Sequence, residues 1–421
     1  MSRIGGERVQ EVLEQIAGSR AKGQQPDRSW SHPFPARMPT TLAEHLIDEL
    51  TTRRAVILDP MAGSGTTLIA ARRLRRTAVG FDRDPLAVLI ARSALAPLKS
   101  ESLERLGSRI LDTAKRFAKR GTPRLSEIRG VLTLEDRAFL DYWFPAVCQQ
   151  QLSALARAIQ NEPNGAARDF AWVVFSSLII AKSAGASFAL DLPRSRPHKR
   201  RDKPVVLPFD GWSRRFETAV RRLPFRDARA LPIAKISLGD ARRLPVDDSS
   251  IDFVLTSPPY LDAIDYLRAH KFSLLWMGHN LNELRELRGT MIGSERGLWS
   301  VDGLPTTVEH RLERQLENGR EVALRRRYLS DLAKVLAEIG RVLRTGGKAV
   351  LALGPSIISK RKTDAADLVG AIARDAGLSV VASVSRHLRS AHRSLPPPRV
   401  MADANPLSAR MRREILVALR K

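Results

Sequence analysis

A single cysteine, Cys148, stands in 421 residues. That excludes a disulfide framework and any zinc site built on cysteine ligands. No apolar run approaches the roughly 20 residues a membrane helix needs, so no membrane partner is expected. The first residues, Met1-Ser-Arg-Ile-Gly-Gly-Glu, lack the charged-then-apolar pattern of a secretory leader, and a cytoplasmic protein is expected. Histidines are few. His32, His270, His279 and His392 show no metal spacing with one another, so no metal is expected. Acidic residues are outnumbered: 45 Asp and Glu face 70 Lys and Arg, a net charge of +25. Such an excess favours a polyanionic partner, most simply nucleic acid. Arginine dominates the excess, and its forked donors suit phosphate and guanine edges.

What is present is alternation. Residues 55–58 and 78–81 read as buried strands, each followed by a helical pattern (68–76 and 85–95), with Pro85 in a first turn and Pro97 just past an end. Strand–helix–strand–helix order predicts a parallel sheet. Residues 100–230 break the pattern with long helical stretches at 103–119, 145–159 and 166–184, then a basic, proline-rich loop at 192–204 and a short basic helix at 212–223. Strands resume at 234–238, 251–255 and 349–353, and two closing strands at 378–384 and 415–419 are expected as antiparallel partners at the sheet edge. Helices are expected at 262–277, 328–343 and 365–376, the second stopped by Gly346-Gly347. Residues 1–30 are expected to form a loose basic arm with one amphipathic piece (Val9, Val12, Leu13, Ile16). Met and Trp residues fall on helical stripes and are expected in the core.

Asp59-Pro-Met-Ala-Gly-Ser-Gly-Thr-Thr67 follows the first strand. Gly63 and Gly65 permit a tight turn and close approach of a ligand to a helix N-terminus. No Lys follows, as a phosphate loop requires, and Leu68 stands where a dinucleotide fingerprint has its third glycine. A ligand with an amine and a carboxylate fits better, Asp59 taking the amine and the turn's backbone amides the carboxylate. Asp82 ends the next strand, placed to accept from ribose hydroxyls. Asp240 ends a third, within reach of an adenine amino group. Together these describe a nucleoside carrying an amino-acid tail, which is S-adenosylmethionine.

Ile251-Asp-Phe-Val-Leu255 runs into Thr256-Ser-Pro-Pro-Tyr260, a strand stopped by two prolines, so that Ser257, Pro258, Pro259 and Tyr260 sit on a stiff turn at a C-terminal strand edge. This motif, with Asp59–Thr67, resembles the amino-directed DNA methyltransferases, and His32-Pro-Phe-Pro-Ala-Arg-Met38 resembles the same family's remaining cofactor motif. The likeness covers roughly residues 30–95 and 234–421. It implies a Rossmann-like class I methyltransferase fold of the α/β class: a mostly parallel sheet with an antiparallel edge strand, plus a helical insertion. The catalytic domain would be residues 31–99 and 231–421, and the insertion residues 100–230.

The resemblance implies S-adenosylmethionine as cofactor, held by Phe34, Pro35, Ala36, Asp59, Pro60, Ala62, Gly63, Ser64, Gly65, Thr66, Thr67, Asp82 and Asp240. It implies catalysis by Ser257, Pro258, Pro259 and Tyr260. An exocyclic amine is a poor nucleophile because its lone pair is delocalised into the ring. Hydrogen bonds from its N–H groups to the Ser257 hydroxyl and the Pro258 carbonyl would draw it towards tetrahedral geometry, with Tyr260 stacked on a base flipped from the duplex. In the family, Ser at the motif's first position favours cytosine-N4, whereas Asp or Asn marks adenine-N6. Many cytosine-N4 relatives carry the motifs in the opposite order, however. An adenine-N6 DNA methyltransferase, a guanine-N2 transfer-RNA methyltransferase and an inactive nucleic-acid-binding protein on the same scaffold are the alternatives. Carbon-5 methylation would need a cysteine nucleophile, and Cys148 reads as a helix residue. Arg194, Arg196, Lys199, Arg200, Arg201 and Lys203 crowd the insertion's loop and are expected to contact double-stranded DNA. Residues 285–327 are a second candidate for target recognition. A restriction endonuclease acting on the same site is the partner implied.

Overall fold

The computed structural model describes residues 2–18, 32–34, 37–121, 132–181, 184–190, 192, 197–228, 230–259, 266–294, 304–306, 308–310, 319–354, 365–387 and 413–421. In chain order the first elements are α1 (Ser2–Gly18), α2 (Thr40–Leu50), β1 (Val56–Asp59), α3 (Thr66–Arg73), β2 (Thr77–Asp82) and α4 (Pro85–Leu95). The middle of the chain adds α5 (Ser100–Arg120), α6 (Leu134–Trp143), α7 (Ala146–Gln160), α8 (Ala166–Ile179), the short strands β3 (Ala189–Leu190) and β4 (His198–Lys199), and α9 (Pro208–Arg221). Then come β5 (Ala234–Leu238), β6 (Ile251–Thr256), α10 (Tyr266–Leu274), α11 (Leu281–Gly289), α12 (Gly319–Val342), β7 (Leu343–Leu353), α13 (Ala365–Asp375), β8 (Ser379–His387) and β9 (Arg413–Arg420).

Seven strands pair in the order β5-β2-β1-β6-β7-β9-β8. The first five run parallel, and β9 is antiparallel to both its neighbours. This is the mostly parallel Rossmann-like sheet expected. The closing pair does take the edge, but the reversed strand β9 sits one place in, between β7 and β8.

Both faces are covered, and the aliphatic runs show how. Ile57, Phe253, Leu255, Val350 and Ala352 belong to one buried cluster, with α2–α4 and the insertion helices. Their neighbours Leu58, Val254, Leu351 and Leu353 belong to the other, with α12 and α13. Successive strand residues point to opposite faces, so a strand buried on both sides reads as one continuous apolar run. Phe170, Phe175 and Trp212 share the first cluster with Ile57 and Leu68, so the core of the 100–230 insertion is continuous with that face of the sheet.

Several expectations need correction. The amphipathic piece near the N-terminus is no loose arm: it is part of α1, with Val9, Val12 and Leu13 buried, and α1 packs on β8. The helix 166–184 ends at Ile179, and the one expected over 262–277 begins, among the described residues, at Tyr266. α12 stops at Val342 rather than at Gly346, because Leu343 already pairs with Ile251 of β6. Helix α6 is an addition. Its signal is a capping box, in which Thr133 accepts from the Asp136 amide and Asp136 accepts from the Thr133 amide. The basic loop contributes one strand, β4, which pairs antiparallel with β3 just before it.

Candidate active site

The sheet order alone sets out the site. In the sequence β5-β2-β1-β6 the strands run parallel, so their C-terminal ends lie side by side as Asp240, Asp82, Asp59 and Ser257. The chain leaves β1 towards one side of the sheet and reaches β6 on the other, which opens a crevice there. One cavity of about 200 Å³ fills it. Its lining includes Phe34, Asp59, Pro60, Ala62, Gly63, Ser64, Thr66, Thr67, Asp82, Asp240, Ser257 and Pro259. Gly65 and Pro258 lie in the same two turns without lining it. Pro35, Ala36, Tyr260, Arg194 and Arg196 lie outside the described residues.

The glycine turn is built for closeness. Gly65 is the left-handed residue (φ 83°) that opens α3, and a Cβ there would meet the Ala91 Cβ of α4 at 2.8 Å. Gly80 on β2 serves the same end: a Cβ would meet Leu68 at 2.7 Å and Ala62 at 3.2 Å, so only glycine lets the turn lie on the strand.

The two carboxylates at the centre differ in their partners. Asp82 accepts from the Gly63 amide (2.8 Å) and the Asp84 amide (2.9 Å), one on each oxygen. Burial, with the Asp84 charge added, pushes its pKa up to about 7. Burial pushes Asp59 up to about 6, against the Met61 amide that donates to it at 3.2 Å. Each Asp82 oxygen keeps a lone pair for a ligand.

Asp240 departs from the expectation of a free acceptor. Its Oδ1 accepts from the Arg242 amide and Nε, both at 3.0 Å; its Oδ2 accepts from Arg242 Nη2 at 2.8 Å and from Arg83 Nη1. Burial opposes ionisation, but Arg242 and Arg83 hold its carboxyl below the usual carboxylate range. Four contacts fill a carboxylate's four lone-pair sites, so an adenine amino group would need another acceptor. Arg242 continues the network to Asp331 (2.6 Å) and to the Thr290 carbonyl (2.8 Å), just before Met291–Ser294 on the cavity rim. The turn's glycine amides also differ from expectation. Gly63 donates to Asp82 and Gly65 donates to the Ala62 carbonyl, so neither is directed at a ligand's carboxylate.

Residues without a signal in the sequence complete the wall. Tyr266 stacks on Phe34 with ring centroids 5.3 Å apart and planes 17° from parallel. Arg37, Met61 and Met291 line the cavity, and the two methionines also pack against the apolar clusters on either side of the sheet. Ser257 Oγ donates to the Ala352 carbonyl of β7 at 3.2 Å. Cys148 is buried in α7, where burial pushes its thiol up to about 11.

The N6/N4 family model, described as DNA methylase, matches residues 5–93, which holds the Phe34 segment, the glycine turn and Asp82. Over that stretch the chain is similar to this DNA methylase family. Among named relatives, it is 23% identical over 266 residues to the type II methyltransferase M.BsoBI of Geobacillus stearothermophilus, covering 59% of this chain and 52% of that protein. It is 21% identical over 283 residues to M.MvaI of Kocuria varians, covering 63% and 61%. A shorter stretch of 49 residues is 45% identical to M.HindIII of Haemophilus influenzae, covering 12% of this chain and 16% of that protein. The chain thus spans only part of the length of each.

The insertion's cations are sorted by their surroundings. Lys203 donates to the Ser187 (3.2 Å) and Ala189 (2.6 Å) carbonyls, and so braces the segment around β3. Arg200 pairs with Asp202, and the Lys199 ammonium lies 3.6 Å above the Tyr142 ring. Arg201 is exposed.

Proposed function

We propose that the chain is an S-adenosylmethionine-dependent DNA methyltransferase acting on an exocyclic amine of a flipped-out base, with N4 of cytosine as the favoured target. The observation that carries this is the grouping of Asp59, Asp82 and Ser257 around one cavity at adjacent strand ends. The residues fit the cofactor. Asp82 offers open lone pairs to ribose hydroxyls, Asp59 offers a carboxylate to an amine, and Phe34 offers a ring face. With the glycine amides engaged, the Arg37 guanidinium on the cavity wall is the proposed partner for the carboxylate. When bound, S-adenosylmethionine supplies an activated methyl group.

The chain's own part is orientation. By donating its proton to the Ala352 carbonyl, Ser257 turns its oxygen into an acceptor, which is what an amine N–H requires. The Pro258 carbonyl is the second acceptor, because a stiff proline turn costs little to hold it in place. Tyr260 is the proposed stacking partner for the base. Buried Cys148, its thiol held protonated, supports amine rather than carbon-5 methylation.

Tritiated methyl transfer to DNA and to transfer RNA, followed by nucleoside digestion, tests the reading. N4-methylcytosine is the expected product. N6-methyladenine would reassign the base, and label only in transfer RNA would replace the substrate class. The relatives' type II designation supports a restriction endonuclease acting on the same site as partner.

For the DNA interface we propose Lys199, Arg200 and Arg201, with Arg194 and Arg196. Neutralising the first three is expected to weaken duplex binding and to flatten the dependence of log K on log salt by about 0.9 for each phosphate no longer neutralised. An unchanged slope would remove this loop from the interface.

A further inference from the structure

Helix α10 is pinned to the cofactor side of the cavity by a polar stripe that the proposed chemistry leaves unused. Tyr266, His270 and Ser273 fall at i, i+4 and i+7, one face of a helix. Each meets a partner from a distant part of the chain. Tyr266 stacks on Phe34; Ser273 accepts from Ser176 Oγ of α8 at 2.9 Å; and Ser176 Oγ is 2.9 Å from His32 Nε2. His270 is fully buried and its Nδ1 lies 2.5 Å from Asp84 Oδ2. An acceptor at that distance places the proton on Nδ1.

Asp84 is the junction. Its Oδ1 accepts from the Leu86 and Ala87 amides and so caps α4, leaving Oδ2 for His270. Its own amide donates to Asp82 Oδ1. A continuous chain of hydrogen bonds therefore runs from the Gly63 amide through Asp82 and Asp84 to His270. His270 does not line the cavity. It reaches the ligand site through residues that line it: through Asp84, and through ring contacts with Phe34 (centroids 5.4 Å apart) and Tyr266 (6.3 Å).

We propose that His270 is a positioning residue whose Nδ1–H holds Asp84, and through it Asp82 and the aromatic wall, in the arrangement that binds the cofactor. The inference rests on the reading of the cavity as the S-adenosylmethionine site. A buried Asp84 oxygen with its donor removed must find another partner, and the nearest adjustment is rotation of the Asp82–Asp84 segment.

Two substitutions of similar size separate position from bulk. His270→Asn keeps a donor near the Nδ1 position, whereas His270→Gln moves it to the Nε2 position. Calorimetric titration of the full chain with S-adenosylhomocysteine, beside thermal melting of the ligand-free proteins, reads the result. His270→Gln is expected to weaken binding at least tenfold, with His270→Asn within threefold of the wild type and both variants still folded at the titration temperature. Equal affinity of Gln and Asn variants, whether both near wild type or both weakened, overturns the proposal. A loss of melting temperature in His270→Gln without loss of affinity also overturns it, since that is what packing alone would give. Failure of the wild type to bind would instead overturn the reading of the cavity, which keeps the two outcomes apart.

Discussion

Ser257→Ala is expected to lower methyl transfer to duplex DNA by about 100- to 1,000-fold, the scale of removing one oriented polar group from the reacting centre. Cofactor affinity should hardly change. The reason lies in the hydroxyl's single proton. It is committed to the Ala352 carbonyl at 3.2 Å, so the oxygen meets the cavity as an acceptor fixed in direction. Alanine removes the acceptor without disturbing β7, whose ladder to β6 is made by backbone groups. Single-turnover transfer measured beside cofactor titration separates the two effects. Wild-type turnover in the variant would show that the proline turn does not orient the amine.

Asp82 carries the second large effect. Two ribose hydroxyls donating to one ionised carboxylate are worth roughly 1.5–3 kcal/mol each, so Asp82→Ala should weaken the cofactor by about 100-fold or more. The same group makes affinity depend on pH. With its pKa raised to about 7 and that of Asp59 to about 6, acidification protonates both acceptors, and affinity should fall as pH drops from about 8 to about 5. Stability of the ligand-free fold runs the other way. Both pKa values lie above the ordinary 3.8, so between about pH 4 and 7 the folded chain binds more protons than the unfolded one. These two groups therefore add stability as pH falls. Melting with and without S-adenosylhomocysteine across this range checks both signs. Asp82→Asn, which cannot titrate, should lose Asp82's share of each slope. A ligand-induced rise in melting temperature that grew on acidification would contradict the assignment.

The strands, the glycine turn and the proline turn are legible in the sequence because each is local. An aliphatic run, a Gly at positive φ and a paired proline act on their own few residues. Hence Asp59, Asp82 and Ser257 can be assigned to strand ends from the sequence alone. The strand pattern does not show which partners the side chains take. From its neighbours Asp240 reads as an open acceptor, but Arg83, 157 positions distant, and Arg242 fill its oxygens. Lys203 reads as a DNA-binding cation, but the carbonyls of Ser187 and Ala189 take its ammonium. The amphipathic N-terminal piece reads as loose, but β8, near the other end of the chain, covers it.

By itself, then, the sequence determined the alternation of strand and helix and the chemistry available at each strand end, because aliphatic patterning and turn chemistry are properties of neighbouring residues. Only the tertiary structure decided which of those groups remain open to a ligand. Acceptor capacity is finite and is filled by whichever donors folding brings near. So Asp82 keeps free lone pairs and Asp240 does not. In the same way His270, 186 positions from Asp84 along the chain, is bonded to it in space.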